Sequence, residues 1–139
     1  MDVVFLIGRI LFAAIFLGSS VAHLTDRGAM AGYAESRGVK PGQPAVWVTG
    51  GQILLGGLSV LLGVWMDLGA ILLALFTLSA ALLMHAFWRD KDPTTRQQEM
   101  TQFMKDISLT GASLILLFLV WELGEDTPFT ITDPLFDVN

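Results

Sequence analysis

Two histidines, a lysine and an aspartate are the residues of this chain best suited to carry chemistry, and they fall at matching ends of apolar stretches. His23 closes the first stretch, and Arg9, Phe16 and His23 follow one another at heptad spacing, which puts all three on one helical face. His85 lies one turn before the end of the third stretch, with Thr77 and Ala81 on its own face. Lys105 and Asp106 enter the fourth stretch at the same level. Two imidazoles, an ammonium and carboxylates converging there can bind a metal, ligate haem or exchange protons with a quinone. The competing reading is an interfacial belt, in which His85-Ala86-Phe87-Trp88-Arg89 marks a membrane boundary. Trp47, Trp65, Trp88 and Trp121 all fall near the ends of apolar stretches, where amphipathic rings settle. Two histidines without a third nearby ligand are weak grounds for a metal, and none is expected.

Arg9 lies inside the first apolar stretch, where a charge costs at least a few kcal/mol unless it snorkels or pairs. Glu122 is its expected ion-pair partner, with Asp67 second. The structural reading is a clasp between helices or simple snorkelling; the functional one is a site for an anionic headgroup or substrate.

The elements that must position these residues follow from where the charges are missing. The 139 residues are 53% hydrophobic and only 15% charged, and the charges are bunched. Four nearly charge-free stretches remain, at about 3–22, 45–65, 68–88 and 107–123, each long enough for a hydrocarbon core about 30 Å thick. Such a chain is not a soluble enzyme, and a net charge of −5 without a basic patch excludes nucleic acid as a partner. The absence of cysteine excludes a disulfide-stapled domain, a protein thiol, a Cys-ligated iron–sulfur cluster and a Cys zinc site. A signal peptide is the alternative for the first stretch, since Ser20-Val21-Ala22 resembles a cleavage site. The lack of a basic leader and the presence of Arg9 favour an uncleaved helix.

Only Met66-Asp67 separate the second and third stretches, which forces an antiparallel hairpin. Pro41-Gly42-Gln43-Pro44 can start a helix but not continue one. Residues 94–105 read as a short amphipathic interfacial helix before the fourth span, with Met100, Phe103 and Met104 on its apolar side and Arg96, Gln98 and Glu99 on its polar side. That face is a surface anchor or a docking face for a cytoplasmic protein. The fold class is therefore an all-α membrane protein, a single domain over 1–139 built as an antiparallel four-transmembrane-helix bundle.

Seven of the eight basic residues (Arg27, Arg37, Lys40, Arg89, Lys91, Arg96 and Lys105) lie in the first and third connections. The positive-inside rule puts those connections in the cytoplasm and both termini outside. The acidic residues after the fourth span, Glu125, Asp126, Asp133 and Asp137, count for little in this rule. In the second stretch, Gly50/Gly57 and Gly56/Gly63 are heptad-spaced small positions that let helices approach closely, and they make a homodimer plausible. Gln52 is an amide among lipid-facing types and needs a hydrogen bond from a neighbouring helix.

The sequence resembles the DoxX-like family of small bacterial and archaeal four-helix membrane proteins. The residues that carry the resemblance are Ile7-Gly8-Arg9-Ile10-Leu11, Phe16-Leu17-Gly18, a polar residue at His23, the glycine-rich second stretch and His85-Ala86-Phe87-Trp88. The strongest segment is Gln102-Phe103-Met104-Lys105-Asp106-Ile107-Ser108-Leu109-Thr110-Gly111, and Pro128-Phe129-Thr130-Ile131-Thr132 looks like the short strand that follows the last helix in many members. The resemblance implies a cytoplasmic membrane location. Some relatives are membrane subunits of thiosulfate:quinone oxidoreductase, and others associate with superoxide dismutase and a sulfurtransferase. Asp106 stands where relatives usually carry Asn, and His23 where Lys is common, so a ligand held there can differ.

Two functions follow as expectations. The first is a membrane subunit of a redox-linked system that handles quinone or anchors a soluble redox partner, with Arg9, His23, His85, Trp88, Lys105 and Asp106 as cofactor-binding residues. The second is a non-catalytic scaffold or assembly factor; a small-molecule or lipid transporter ranks below both, because four helices form a central pathway poorly.

Overall fold

The computed structural model describes residues 1–136 and 138; Asp137 and Asn139 lie outside the described residues. Its helices are α1 (Asp2–Leu24), α2 (Ala29–Ser36), α3 (Gly42–Leu62), α4 (Met66–Ser79) and α5 (Pro93–Leu123). Four segments are long and apolar enough to cross a membrane: Asp2–Leu24, Gly42–Leu62, Met66–Arg89 and Pro93–Asp126. α1 packs on α3, α3 on α4 and α4 on α5, while α2 lies against α3. One end of the bundle carries the first and third connections; the other carries the N-terminus, the α3–α4 turn and the segment after α5.

Each span turns a narrow face inward and leaves the rest to lipid. On α1 the buried residues are Arg9, Ala13, Phe16 and Ser20, the helical stripe on which Arg9 and Phe16 were expected. The central core joins Phe16 to Ile53 and Val60 of α3, Leu73 of α4, and Leu116 and Val120 of α5. A bilayer offers backbone groups no water, so the close fit of helices with satisfied backbones replaces hydrophobic collapse as the organising force.

The glycines of α3 make that fit possible. A Cβ at Gly50 would lie 2.8 Å from His23 Cβ, and one at Gly57 would lie 3.0 Å from Leu17 Cδ2, both on α1. On the opposite side, a Cβ at Gly56 would lie 2.8 Å from Leu73 Cδ2 of α4. The small faces are thus consumed within the chain, which removes the reason for expecting a homodimer through them. Gln52 donates to the Leu72 carbonyl of α4 at 2.9 Å, the neighbouring-helix bond that its burial requires.

Three sequence expectations need correction. The α3–α4 turn falls at 63–65 rather than at Met66-Asp67, because Gly63 takes the left-handed conformation (φ 73°) that ends α3. The amphipathic segment 94–105 is helical but is no separate element. No glycine or proline interrupts the chain between Pro93 and Gly111, so α5 runs unbroken from its Asp92 cap, which accepts from Thr95 N at 2.8 Å. At 1.5 Å per residue α5 is about 46 Å long, about 16 Å more than the hydrocarbon core, and the charged residues Arg96, Glu99, Lys105 and Asp106 fall in its first half. Lastly, residues 128–132 form no strand. Ile131 N and Thr132 N both donate to the Gly63 carbonyl, at 2.8 and 3.2 Å, and fold the segment over the α3–α4 turn.

Candidate functional site

The connection end of the bundle encloses a cavity of about 310 Å³ with walls from all five helices. His23, Lys105 and Asp106 line it together with His85. Apolar side chains, among them Phe16, Val46, Phe76 and Leu109, form much of the remaining wall. Thr77 of α4 sits on that wall too, with its hydroxyl 2.7 Å from that of Thr110 on α5. Four of the six residues expected to bind a cofactor are therefore brought together from α1, the end of the third span and α5.

A local irregularity delivers His85. After Ser79 the third span widens into a π-helical turn, Ala80–Met84, closed by the bond from His85 N to the Ala80 carbonyl at 3.1 Å. Such turns insert a residue into an otherwise regular helix and recur at functional sites. Nδ1 of His85 lies 2.7 Å from Glu99 Oε2, so this nitrogen carries the proton toward a carboxylate. Nε2 lies 3.7 Å from Asp106 Oδ2, on the other side of the ring. His23 places Nδ1 2.7 Å from the Ser19 carbonyl of its own helix, and its ring meets Phe76 edge-on at 5.8 Å. Nε2 is then the atom that His23 keeps for another partner.

Residues that the sequence reading did not single out as site residues complete the arrangement. Glu99 also accepts from the Tyr33 hydroxyl at 2.6 Å and from Arg37 Nη2 at 3.1 Å. Arg37 in turn holds Asp90 bidentately, at 3.2 and 3.1 Å, and lies over the Tyr33 ring. Burial would lower the Arg37 pKa, but the bonds to Asp90 and Tyr33 and the charge of Glu99 outweigh it and raise it above its ordinary value. Tyr33 is raised first by burial and then by Glu99, so its hydroxyl stays a donor. A signal was present: Glu99 precedes Asp106 by a heptad and shares its face, and Tyr33 is the chain's single tyrosine. Lys105 donates to Gln102 Oε1 at 2.7 Å and lies 3.4 Å from Asp106.

The other two expected residues lie elsewhere. Trp88 is 50% exposed and packs edge-on against Phe87 and Phe103, in keeping with the belt reading. Arg9 is buried at the opposite end of the bundle, and its expected pairing with Glu122 does not form. Instead Nε and Nη2 donate to the carbonyls of Val60 and Leu61, and Nη1 donates to those of Pro128 and Phe129, all at 2.8–3.0 Å. The last carbonyls of a helix have no intrahelical donors and carry partial negative charge, so the end of α3 attracts a cation as well as an acid does. Glu122 is exposed. Asp67 is fully buried at the start of α4 and accepts from Leu135 N and Phe136 N at 2.9 and 2.8 Å.

Among the described residues no three of His, Asp and Glu are grouped so as to hold a metal ion. A profile described as DoxX matches residues 4–86, more than half of the chain, running from α1 through His85. It stops short of Glu99, Lys105 and Asp106, and of the segment in which the resemblance was strongest. No curated protein and no solved structure matches the chain.

Proposed function

Because the chain belongs to the DoxX family, we propose that its cavity receives the ring of a quinone and that the protein is a membrane subunit of a redox-linked system. One observation carries this reading: His23 and His85, from different spans, face one cavity with Lys105 and Asp106, and the rest of its wall is largely apolar. A quinone needs that combination, with donors for its two oxygens and an apolar surface for its ring. Lys105 is a donor as it stands, and Phe16 and Phe76 supply ring faces. Each imidazole becomes a donor through Nε2 when its ring carries a second proton, since Nδ1–H is already committed.

Reduction of a quinone to the quinol takes up two electrons and two protons. The groups Glu99, His85 and Asp106 run in hydrogen-bond and ion-pair order from the Arg37 rim into the cavity, which suits them to deliver the protons. The chain has no cysteine, so neither a protein thiol nor a Cys-ligated cluster supplies the electrons. A soluble redox partner does so in this reading. In this reading the clustered basic residues favour a cytoplasmic cavity end with both termini outside, and the family resemblance supports a bacterial or archaeal cytoplasmic membrane.

The second reading, a scaffold for a cytoplasmic protein, is favoured by the projecting start of α5, where Arg96, Gln97 and Gln98 are on or near the surface. One purification separates the two. Protein in mild detergent is scanned for absorption, and extracted lipids and co-purifying proteins are identified by mass spectrometry. Quinone retained by the wild type and lost from the double variant His23→Ala/His85→Ala supports the first reading. Equal retention by both overturns it, and a stoichiometric protein without quinone favours the scaffold. An alkaline phosphatase fused after α5 is active if that end faces outside.

A further inference from the structure

The first and last spans scarcely approach each other along their backbones, although each is packed against an inner helix. Large side chains fill the seam between them. Phe5, Phe12 and Phe16 of α1 belong to the same apolar cluster as Leu116 and Val120 of α5. Along this seam, toward the terminal end, lies a second hollow of about 300 Å³ between Val4, Phe5 and Phe12 on one wall and Ala112, Ile115 and Leu119 on the other. Gly8 lies in the same wall, and a Cβ there would meet nothing within 4 Å.

The two hollows share one line. Phe16 and Leu109 border the polar cavity, while Phe12 and Ala112, one turn further along each helix, border the apolar groove. On α1 the two linings meet at the edge-to-face pair of Phe12 and Phe16, with centroids 5.1 Å apart. From Ile15 to Val4 the seam is about 16 Å long, enough to hold an extended ten-carbon chain.

We propose that the α1–α5 seam is the lateral entry and tail site for a quinone whose ring occupies the polar cavity. The ring arrives from the bilayer through the seam, Phe12 turns to admit it, and the tail stays in the groove beside Gly8. This inference rests on the quinone reading of the cavity and adds the side from which the ligand comes and the place of its chain. A groove that is apolar throughout except for the sequestered Arg9 suits a hydrocarbon chain. A polar cavity one turn away requires that chain to carry a polar head.

The test uses two photoreactive probes with the full-length protein in lipid nanodiscs: a tail-less azidobenzoquinone, and a benzoquinone whose decyl-length tail ends in a diazirine. Labelled peptides are mapped by mass spectrometry, with and without an excess of unlabelled decyl benzoquinone. The expected result is competed labelling of cavity-lining residues by the first probe and of residues 4–12 and 112–119 by the second. Gly8→Phe should lower groove labelling about tenfold, equivalent to about 1.4 kcal/mol of affinity. Gly18→Phe, on an exposed part of α1, should not lower it. Ala112→Leu fills the opposite wall and replaces Gly8→Phe if that variant does not fold. Competed cavity labelling with tail label spread over Leu55 or Leu75 on the outer faces overturns the lateral site and leaves the cavity reading intact. Groove labelling that excess quinone does not compete is simple partitioning and also overturns it. No competed labelling of the cavity by either probe defeats the quinone reading and this inference together.

Discussion

His85 Nδ1 and Glu99 Oε2 meet at 2.7 Å, across the break between the third span and α5. The bond fixes the histidine tautomer from a helix that runs outward past the bundle end. It also ties the start of α5 to the third span. Glu99 is bound at once by His85, Tyr33 and Arg37, and these contacts hold the first turns of α5 against α2 and the third span.

Replacing Glu99 with Ala should therefore loosen two features together. The loss of three partly buried, charge-assisted bonds is expected to cost about 2–4 kcal/mol, and His85 loses its orienting acceptor. Thermal unfolding in detergent should fall, and quinone retention should fall with it. Unchanged values for both would mean that the network neither stabilises the fold nor prepares the cavity.

Arg9 is expected to matter through carbonyls rather than through an acid. Arg9→Met leaves four carbonyls without their donor and should cost about 2–5 kcal/mol, with amide exchange accelerated over residues 128–132. Arg9→Lys keeps the charge but not the fork and should recover only part of that loss. Glu122→Gln should change neither quantity. A large effect of Glu122→Gln would restore the ion pair that the sequence suggests.

Asp26 predicts a local pH dependence. Its carboxylate accepts from Met30 N at 2.9 Å, Gly28 N at 3.0 Å and Ala31 N at 3.3 Å, and the bond from Met30 above all holds its pKa below the ordinary value. A lowered folded-state pKa gives stability that is complete above the unfolded value, about 3.9, and is lost as pH falls through the folded one. Protection factors at Met30 and Ala31, which allow for the intrinsic slowing of exchange with acid, should fall on acidification below about pH 4, and Asp26→Asn should abolish that step.

The adjacent glycines Gly50 and Gly51 should respond in opposite ways. A methyl at Gly50 meets His23 Cβ at 2.8 Å, whereas one at Gly51 meets nothing within 4 Å. Gly50→Ala is expected to cost about 1–3 kcal/mol through overpacking and to weaken quinone retention by moving His23. Gly51→Ala should be neutral, or stabilising by up to about 1 kcal/mol through helix propensity. Equal melting temperatures for the two variants would contradict the close contact of α1 and α3.

Gly63 is constrained twice. Its φ of 73° disfavours any side chain, and a Cβ would lie 2.8 Å from Arg9 Nη2 and 2.7 Å from Thr130 Cα. Gly63→Ala should cost about 1–3 kcal/mol and release residues 128–132 to exchange much as Arg9→Met does.

The sequence by itself determined four spans, their antiparallel order, the inward face of Arg9 and Phe16, and the level at which His23, His85, Lys105 and Asp106 meet. It could do so because a bilayer leaves the backbone few choices: apolar length sets a span, and short connections reverse its direction. Tertiary structure alone decided the partners. Arg9 was legible as a charge in need of compensation, but the carbonyls of Val60, Leu61, Pro128 and Phe129 are present in every chain and carry no mark in a sequence. Tyr33 and Glu99 are separated by 66 positions, and only the π-turn before His85 and the unbroken course of α5 bring them to one site. Spacing along one helix can be read from residue order. Contact between helices depends on how closely their backbones approach, and here glycines such as Gly50 and Gly57 set that distance.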